Sequence, residues 1–314
     1  MYSSSTMKIT GTFLDEISHD INHQNWGPQE WEADFQAMQS IGIDTVILIR
    51  SGYKRWITYP SEVLVREEGC FTPPIDLVAL FLDLSHRYGM RFYFGLYDSG
   101  KYWVNARYQE ETALNKKVIQ EVVDRYGAHP AFGGWYFSHE INRNDTGVVE
   151  EYAIMGHFCK NLLPAPILIS PYIDGKKALL ASDAAVARAE GITLESHRQE
   201  WDEVLRNVQG IVDTIAFQDG HVDFEDLEDF MRVNKQLSDH YGIQGWTNCE
   251  SFDRDMPIKF LPIKWEKMRF KLEAARRVGM DKAITFEFSH FMSPHSSYRQ
   301  AHHLFNRYKE YIGL

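Results

Sequence analysis

Gly134-Trp135-Tyr136-Phe137-Ser138-His139-Glu140-Ile141-Asn142 joins an aromatic run of strand character to an abrupt polar end, and the first acid there is Glu140. A strand covered by protein on both faces reads as a continuous apolar run, not as an alternation. This stretch therefore predicts a strand within a parallel sheet, with its carboxylate where the chain leaves the sheet for solvent. About a hundred residues later, Ile243-Gln244-Gly245-Trp246-Thr247-Asn248-Cys249-Glu250 repeats the arrangement. The expectation is that the two strand ends face each other across one site.

Working outward, strand-like and helix-like segments alternate along the chain, the signature of a parallel sheet with crossover helices. The predicted strands are Lys8 to Leu14, Asp44 to Ile49, Arg91 to Leu96, the Trp135 run, Ile167 to Ser170, Thr214 to Phe217, the Trp246 run and Ala283 to Phe288. Helices are predicted between them, and Tyr298 to Tyr311 forms the closing helix. An irregular aromatic loop, Tyr53 to Pro60, follows the second strand, and 176–194 reads as a helical insertion after the fifth. Gly42, Gly89, Gly127, Gly210, Gly242 and Gly279 each fall between a helix and the next strand, where a left-handed cap lets a helix stop and reverse. These short links contrast with long, polar links after the strands. Eight strand–helix pairs with that asymmetry predict an α/β fold, a single-domain (β/α)8 TIM barrel over 1–314, with its site on the long-loop face. No Gly-rich phosphate loop follows the first strand, which disfavours a doubly wound open sheet.

At 314 residues, 44% hydrophobic and 14% aromatic, the chain has ample material for a large core. Its net charge of −11 disfavours nucleic acid and anionic membrane surfaces as partners. No apolar run approaches the roughly 20 residues of a membrane span, and MYSSSTMKITG lacks the pattern of a signal peptide, so a cytoplasmic location is the expectation. Cys70, Cys159 and Cys249 are widely spaced without zinc-site companions and are expected to be reduced. His19 and His23 lie four apart but lack a ligand pattern, so neither metal nor cofactor is expected.

The first polar residues after each predicted strand should share one face of the barrel. They are Asp15 and Glu16; Arg50; Tyr97 and Asp98; His139 and Glu140; Tyr172 and Asp174; Gln218 and Asp219; Asn248 and Glu250; and Glu287, Ser289 and His290. Glu140 and Glu250 follow strands four and seven. A carboxylate pair is what glycosidic cleavage requires: one protonated, to protonate the leaving oxygen, and one ionised, to attack or stabilise an oxocarbenium-like centre.

The pattern resembles the large clan of retaining (β/α)8 glycoside hydrolases, with an acid/base after strand four and a nucleophile after strand seven. That resemblance implies an acid/base role for Glu140, a nucleophile role for Glu250, and for Arg50 a hydrogen bond to the nucleophile. Through GTFLDE, the aromatic loop after strand two and GWYFSHEIN, the chain is also similar to an uncharacterised family of bacterial barrel domains classed with the glycosyl hydrolases. Three departures from the clan stand out: His139 replaces the usual Asn before the acid/base, Phe286 or Phe288 replaces the usual aromatic platform on strand eight, and strand six offers Gln218-Asp219 where a tyrosine is usual.

The expected substrate-binding set is Arg50, Trp56, Tyr97, Asp98, His139, Asp219, Trp246, Asn248 and Glu287, with Tyr59 and Trp103 as further aromatics able to stack on sugar faces. Each has a structural alternative: salt bridges for the acids and Arg50, a satisfied buried imidazole for His139, turn roles for Asp98 and Asp219, and core packing for the aromatics. The resulting expectation is a retaining glycosidase acting on a carbohydrate. Two alternatives stay open: a metal-dependent sugar isomerase or epimerase using Glu140, Asp174, Asp219, Glu250 and Glu287, and a non-catalytic carbohydrate-binding barrel.

Overall fold

A computed structural model describes residues 6–18, 21–142, 146–177, 191–254 and 260–314. Most of the expected 176–194 insertion lies outside these residues, as does His19. Eight parallel strands close into a barrel: β1 (Ile9–Leu14), β2 (Thr45–Leu48), β3 (Arg91–Gly95), β4 (Phe132–Phe137), β5 (Ile167–Ile169), β6 (Thr214–Gln218), β7 (Gln244–Asn248) and β8 (Lys282–Thr285). Each pairs with its sequence neighbours, and β8 closes on β1. The long helices α1 (Pro28–Ser40), α2 (Leu77–Arg87), α3 (Tyr108–Tyr126), α4 (Thr146–Leu162), α5 (Leu194–Val208), α6 (Phe224–Tyr241), α7 (Trp265–Val278) and α8 (Arg299–Ile312) follow the strands in order. The chain is an α/β (β/α)8 TIM barrel.

Two apolar layers hold it together. Phe13, Ile47, Tyr93, Tyr136, Leu168, Ala216, Trp246 and Ile284, one from each strand, fill the barrel interior. The alternate strand residues, among them Leu14, Leu48, Phe94, Trp135 and Ile215, pack outward against the helices. Both faces of every strand are thus covered, which is why the strands read as unbroken apolar runs. Trp246 belongs to the inner layer, and the Lys282 ammonium lies 4.8 Å from its ring centroid. Because Lys282 opens β8 and pairs with Asp44 just before β2, Trp246 sits toward the end of the barrel opposite Glu140 and Glu250.

Five of the six linking glycines adopt the left-handed conformation, with φ between 69° and 86° at Gly42, Gly89, Gly210, Gly242 and Gly279. Gly127 does not: the chain stays helical through it at φ −61°. The missing Cβ there would stand 2.6 Å from the Val123 carbonyl oxygen, so glycine permits a tight last turn instead of a reversal.

Two local expectations are corrected. The loop after β2 is not irregular. Gly52–Tyr53 and Trp56–Ile57 form a hairpin, and Tyr97–Asp98 adds to it as a third, parallel strand. Strand eight ends at Thr285, not at Phe288, because the Glu287 carboxylate accepts from the backbone N–H groups of Ser289 (2.9 Å) and His290 (2.7 Å) and caps a short helix, Phe288–Phe291. No helix among the described residues is long and apolar enough to cross a membrane, and all three cysteines are free and buried.

Candidate active site

A cavity of about 180 Å³ opens at the C-terminal ends of the barrel strands. Its polar lining comprises Ser18, Arg50, Glu140, Gln218, Asn248, Glu250 and Arg254, and its apolar walls include Phe13, Ile49, Phe252, Phe260 and Phe286. Glu140 and Glu250, far apart in the chain, therefore share one cavity. A larger open depression of about 800 Å³ lies beside the helix Glu62–Glu68. It is an open surface depression away from the barrel mouth, and its Glu121 carboxylate is engaged by Tyr59, Ser61 and the backbone N–H groups of Glu62 and Val63.

The two glutamates have opposite electrostatic surroundings. Glu140 is reached by solvent from the cavity. Crowding by protein on its other sides strips water from the carboxyl and pushes its pKa up to about 7, against the opposing pull of Arg50, a hydrogen bond from Gln218 and Arg254. Glu250 is buried. Burial works against its charge too, but Arg254 outweighs it: Nε reaches one carboxylate oxygen and Nη2 the other, each at 2.8 Å. With Lys271 and His221 adding attraction, the Glu250 carboxyl is held below the ordinary glutamate value. Near neutral pH the cavity thus holds one carboxyl poised to carry a proton and one firmly ionised, the division of labour that acid–nucleophile pairs require.

Glu250 is anchored from behind. Its backbone N–H donates to Asp219 (3.1 Å), and the buried Lys271 ammonium, reaching in from α7, binds Asp219 at 2.7 Å and the Glu250 carbonyl at 3.3 Å. Gly220 lets the pair fit: a Cβ at that position would stand 1.8 Å from Glu250 Oε2 and 2.5 Å from Arg254 Nε. Gln218, ending β6, donates to the Ser170 carbonyl at 2.8 Å as well as to Glu140. Asn248 donates to Ser170 Oγ at 3.1 Å, and its Oδ1 is a buried acceptor with no partner among the described residues.

Of the residues expected to bind substrate, Arg50 and Asn248 line this cavity, and Phe286 does so where Phe288 does not. Arg50 is not the partner of Glu250; its Nη1 lies 3.6 Å from Asp98. Arg254 takes the place expected of Arg50. Nothing in the sequence marks it, because it lies in the loop after β7, outside any periodic element and four residues past Glu250. The other expected residues sit elsewhere. Asp219 lies behind Glu250. His139, buried, faces outward, with Nε2 3.2 Å from Glu111 on α3 and the Trp103 ring 4.4 Å away. Successive residues leaving a strand point to opposite sides, so Glu140 inward puts His139 outward. Tyr97 is fully buried, its hydroxyl on the Lys54 carbonyl. Glu287 is buried against His290, Trp246 lies in the barrel interior, and Trp56 stands on the surface hairpin. Tyr59 is fully buried and Trp103 packs against His139.

Among the described residues, two groups of three side chains lie close enough to share a cation: Asp98, Glu111 and His139, and Asp223, Glu225 and Asp226. The five acids of the isomerase alternative form no such group. Asp219 is held by Lys271, Glu250 by Arg254, Glu287 by His290, and Asp174 accepts two bonds from the Asn142 amide at 2.7 and 2.9 Å.

Comparison with known proteins agrees with this architecture. A crystal structure from Bacteroides thetaiotaomicron, named as a candidate alpha-L-fucosidase, is 55% identical, with a TM-score of 0.92 over 98% of this chain and 94% of the other. An endo-1,4-beta-D-mannanase from Thermotoga petrophila shares 12% identity at a TM-score of 0.54, covering 90% of this chain and 88% of the enzyme. The intracellular xylanase TsXylA from Thermoanaerobacterium saccharolyticum shares 12% identity at 0.50, covering 91% and 87%. At these identities the two enzymes share the fold alone with this chain. No functionally curated protein matches it. Residues 9–298 match the family described as "Domain of unknown function (DUF4434)", and the chain belongs to that family.

Proposed function

We propose that the protein is a glycoside hydrolase that cleaves an O-glycosidic bond by a retaining double displacement. The observation that carries the reading is one cavity lined by both Glu140 and Glu250, with Glu250 gripped by Arg254 through a hydrogen bond of 2.8 Å to each carboxylate oxygen and Glu140 open to the cavity. Glu140 protonates the leaving oxygen and then, as its conjugate base, removes a proton from the incoming water. Glu250 attacks the anomeric carbon and forms a glycosyl-enzyme ester, which that water hydrolyses. Retention needs the two carboxyls about 5 to 5.5 Å apart, and a separation beyond roughly 6.5 Å belongs to inversion. The relative that is 55% identical, named as a candidate alpha-L-fucosidase, supports carbohydrate as the substrate class.

The test is Glu250→Ala assayed on a panel of aryl glycosides. Hydrolysis should fall to background, and azide should restore turnover and yield a glycosyl azide of inverted anomeric configuration. Activity near that of the unaltered protein would remove Glu250 from the mechanism. A single-displacement outcome, with inverted product from the unaltered protein, would replace the retaining reading.

A further inference from the structure

The small sheet beside the cavity has two unlike faces, and strand register says which residues share each. Gly52 pairs with Ile57 and with Tyr97, and Tyr53 pairs with Trp56 and with Asp98. Directly paired residues project to the same side. Ile57 and Tyr97 are buried, 5% and 0% exposed, so their side is packed on the protein. Tyr53, Trp56 and Asp98 therefore form the outward side.

That outward side runs into the cavity. Asp98 pairs with Arg50 at 3.6 Å, and the Arg50 guanidinium lies 5.5 Å from the Tyr53 ring centroid. Tyr53 packs on the cluster containing Phe13 and Ile49. Arg50, Phe13 and Ile49 all line the cavity. At the far end of the same face the Trp56 indole is 64% exposed, with the Phe71 ring, itself 44% exposed, tilted against it at 5.0 Å. Large aromatic side chains are seldom left this open on a folded protein, and contiguous exposed aromatic surface marks sites of contact.

We propose that this face is a second sugar-binding subsite, continuous with the cavity. Its occupant is the sugar unit next to the one held between Glu140 and Glu250: the apolar face of that unit lies on Trp56, and its hydroxyls meet the Arg50–Asp98 pair at the junction. The substrate is accordingly an oligosaccharide or a larger glycan. The cavity, about 180 Å³, is below the range of roughly 300 to 1,000 Å³ usual for sites that enclose a whole ligand. Part of the binding surface must then lie outside it. Trp56 serves this subsite and is not placed in the catalytic pair. The assignment rests on the glycosidase reading for the identity of the neighbouring site, but its test is binding alone.

The experiment uses a Glu140→Gln background, which removes the proton donor and leaves the Glu250–Arg254 pair in place. Titration calorimetry compares xylotetraose, mannotetraose, cellotetraose and tetragalacturonic acid with their monosaccharides. At least one tetrasaccharide should bind more tightly than its monosaccharide. Adding Trp56→Ala should weaken that tetrasaccharide tenfold or more without changing the monosaccharide, and Trp56→Phe should retain most of the affinity. Unchanged tetrasaccharide affinity in Trp56→Ala overturns the proposal, as does a panel in which no tetrasaccharide outbinds its monosaccharide. Failure of the hydrolase reading shows separately, as turnover unaffected by Glu250→Ala.

Discussion

Arg254 grips Glu250 with two parallel hydrogen bonds of 2.8 Å, one to each carboxylate oxygen. A bidentate guanidinium–carboxylate pair fixes orientation as well as charge. It aims the carboxylate, and it keeps that carboxylate ionised in a buried position where water does not. Replacing Arg254 by Met leaves the Glu250 charge opposed by burial with less to offset it. The acidic limb of the kcat–pH profile should move to higher pH, and kcat at neutral pH should fall by about 10²- to 10³-fold, the usual cost of losing a preorganised donor at a reacting group. An acidic limb that stays in place in Arg254→Met would show that other residues set the ionisation of Glu250.

Glu140 sets the opposite limb. With its pKa near 7, the protonated form needed to assist the leaving group declines as pH rises through that value, so activity should fall on the alkaline side of neutrality. Glu140→Gln removes this limb and lowers kcat by about 10²- to 10⁴-fold on substrates with poor leaving groups. In kcat/KM, which reports the first displacement alone, aryl glycosides with acidic leaving groups should lose much less. Equal losses in kcat/KM on both kinds of substrate would argue against proton donation by this residue.

Gly220 is a positioning residue for the same pair. Its backbone is outside the left-handed region, so alanine is conformationally acceptable, but the added methyl would overlap Glu250 Oε2. Gly220→Ala should fold normally by circular dichroism while kcat drops by at least about tenfold, as displacements near 1 Å at a reacting group are costly. KM should move little. Full activity in Gly220→Ala would mean that the carboxylate relocates freely.

Asp34 on α1 is fully buried and accepts from the hydroxyls of Ser289 (2.8 Å) and Ser293. Burial outweighs these hydrogen bonds and raises its pKa from 3.8 to about 7. Between those values the folded state holds a proton that the unfolded chain has lost, so this group's contribution to stability declines as pH rises from about 4 through 7. Asp34→Asn cannot ionise and should make the denaturation midpoint fall less steeply across that interval, the remaining slope coming from other raised acids such as Glu140 and Glu16. A midpoint profile that parallels the unaltered protein would show that Asp34 is ionised throughout.

Much of this was legible in the chain. The aromatic run ending in Glu140 and its counterpart ending in Glu250 identified strands four and seven because a strand covered on both faces cannot hide polar residues within it. The polar residue that ends such a run is then at the barrel mouth. His139 shows the limit of that logic. It adjoins Glu140 in sequence, yet alternation turns it outward onto Glu111, and nothing in its neighbours announces a partner 28 residues away on α3. Glu287 shows a second limit: a carboxylate after the last strand caps a helix turn when free N–H groups follow it. Trp246 shows a third, since an aromatic residue within a strand can as well fill the barrel as face a ligand.

The sequence by itself determined the barrel, the order of its strands and the two glutamates at its mouth, because strand burial and helix termination are written in local periodicity. Tertiary structure alone decided that Arg254 and not Arg50 holds Glu250, that Gln218 serves Glu140, and that Trp56 lies along a face continuous with the cavity. Those relations depend on where loops return in space, and a hydrogen bond between side chains on different loops leaves no spacing for a sequence to show.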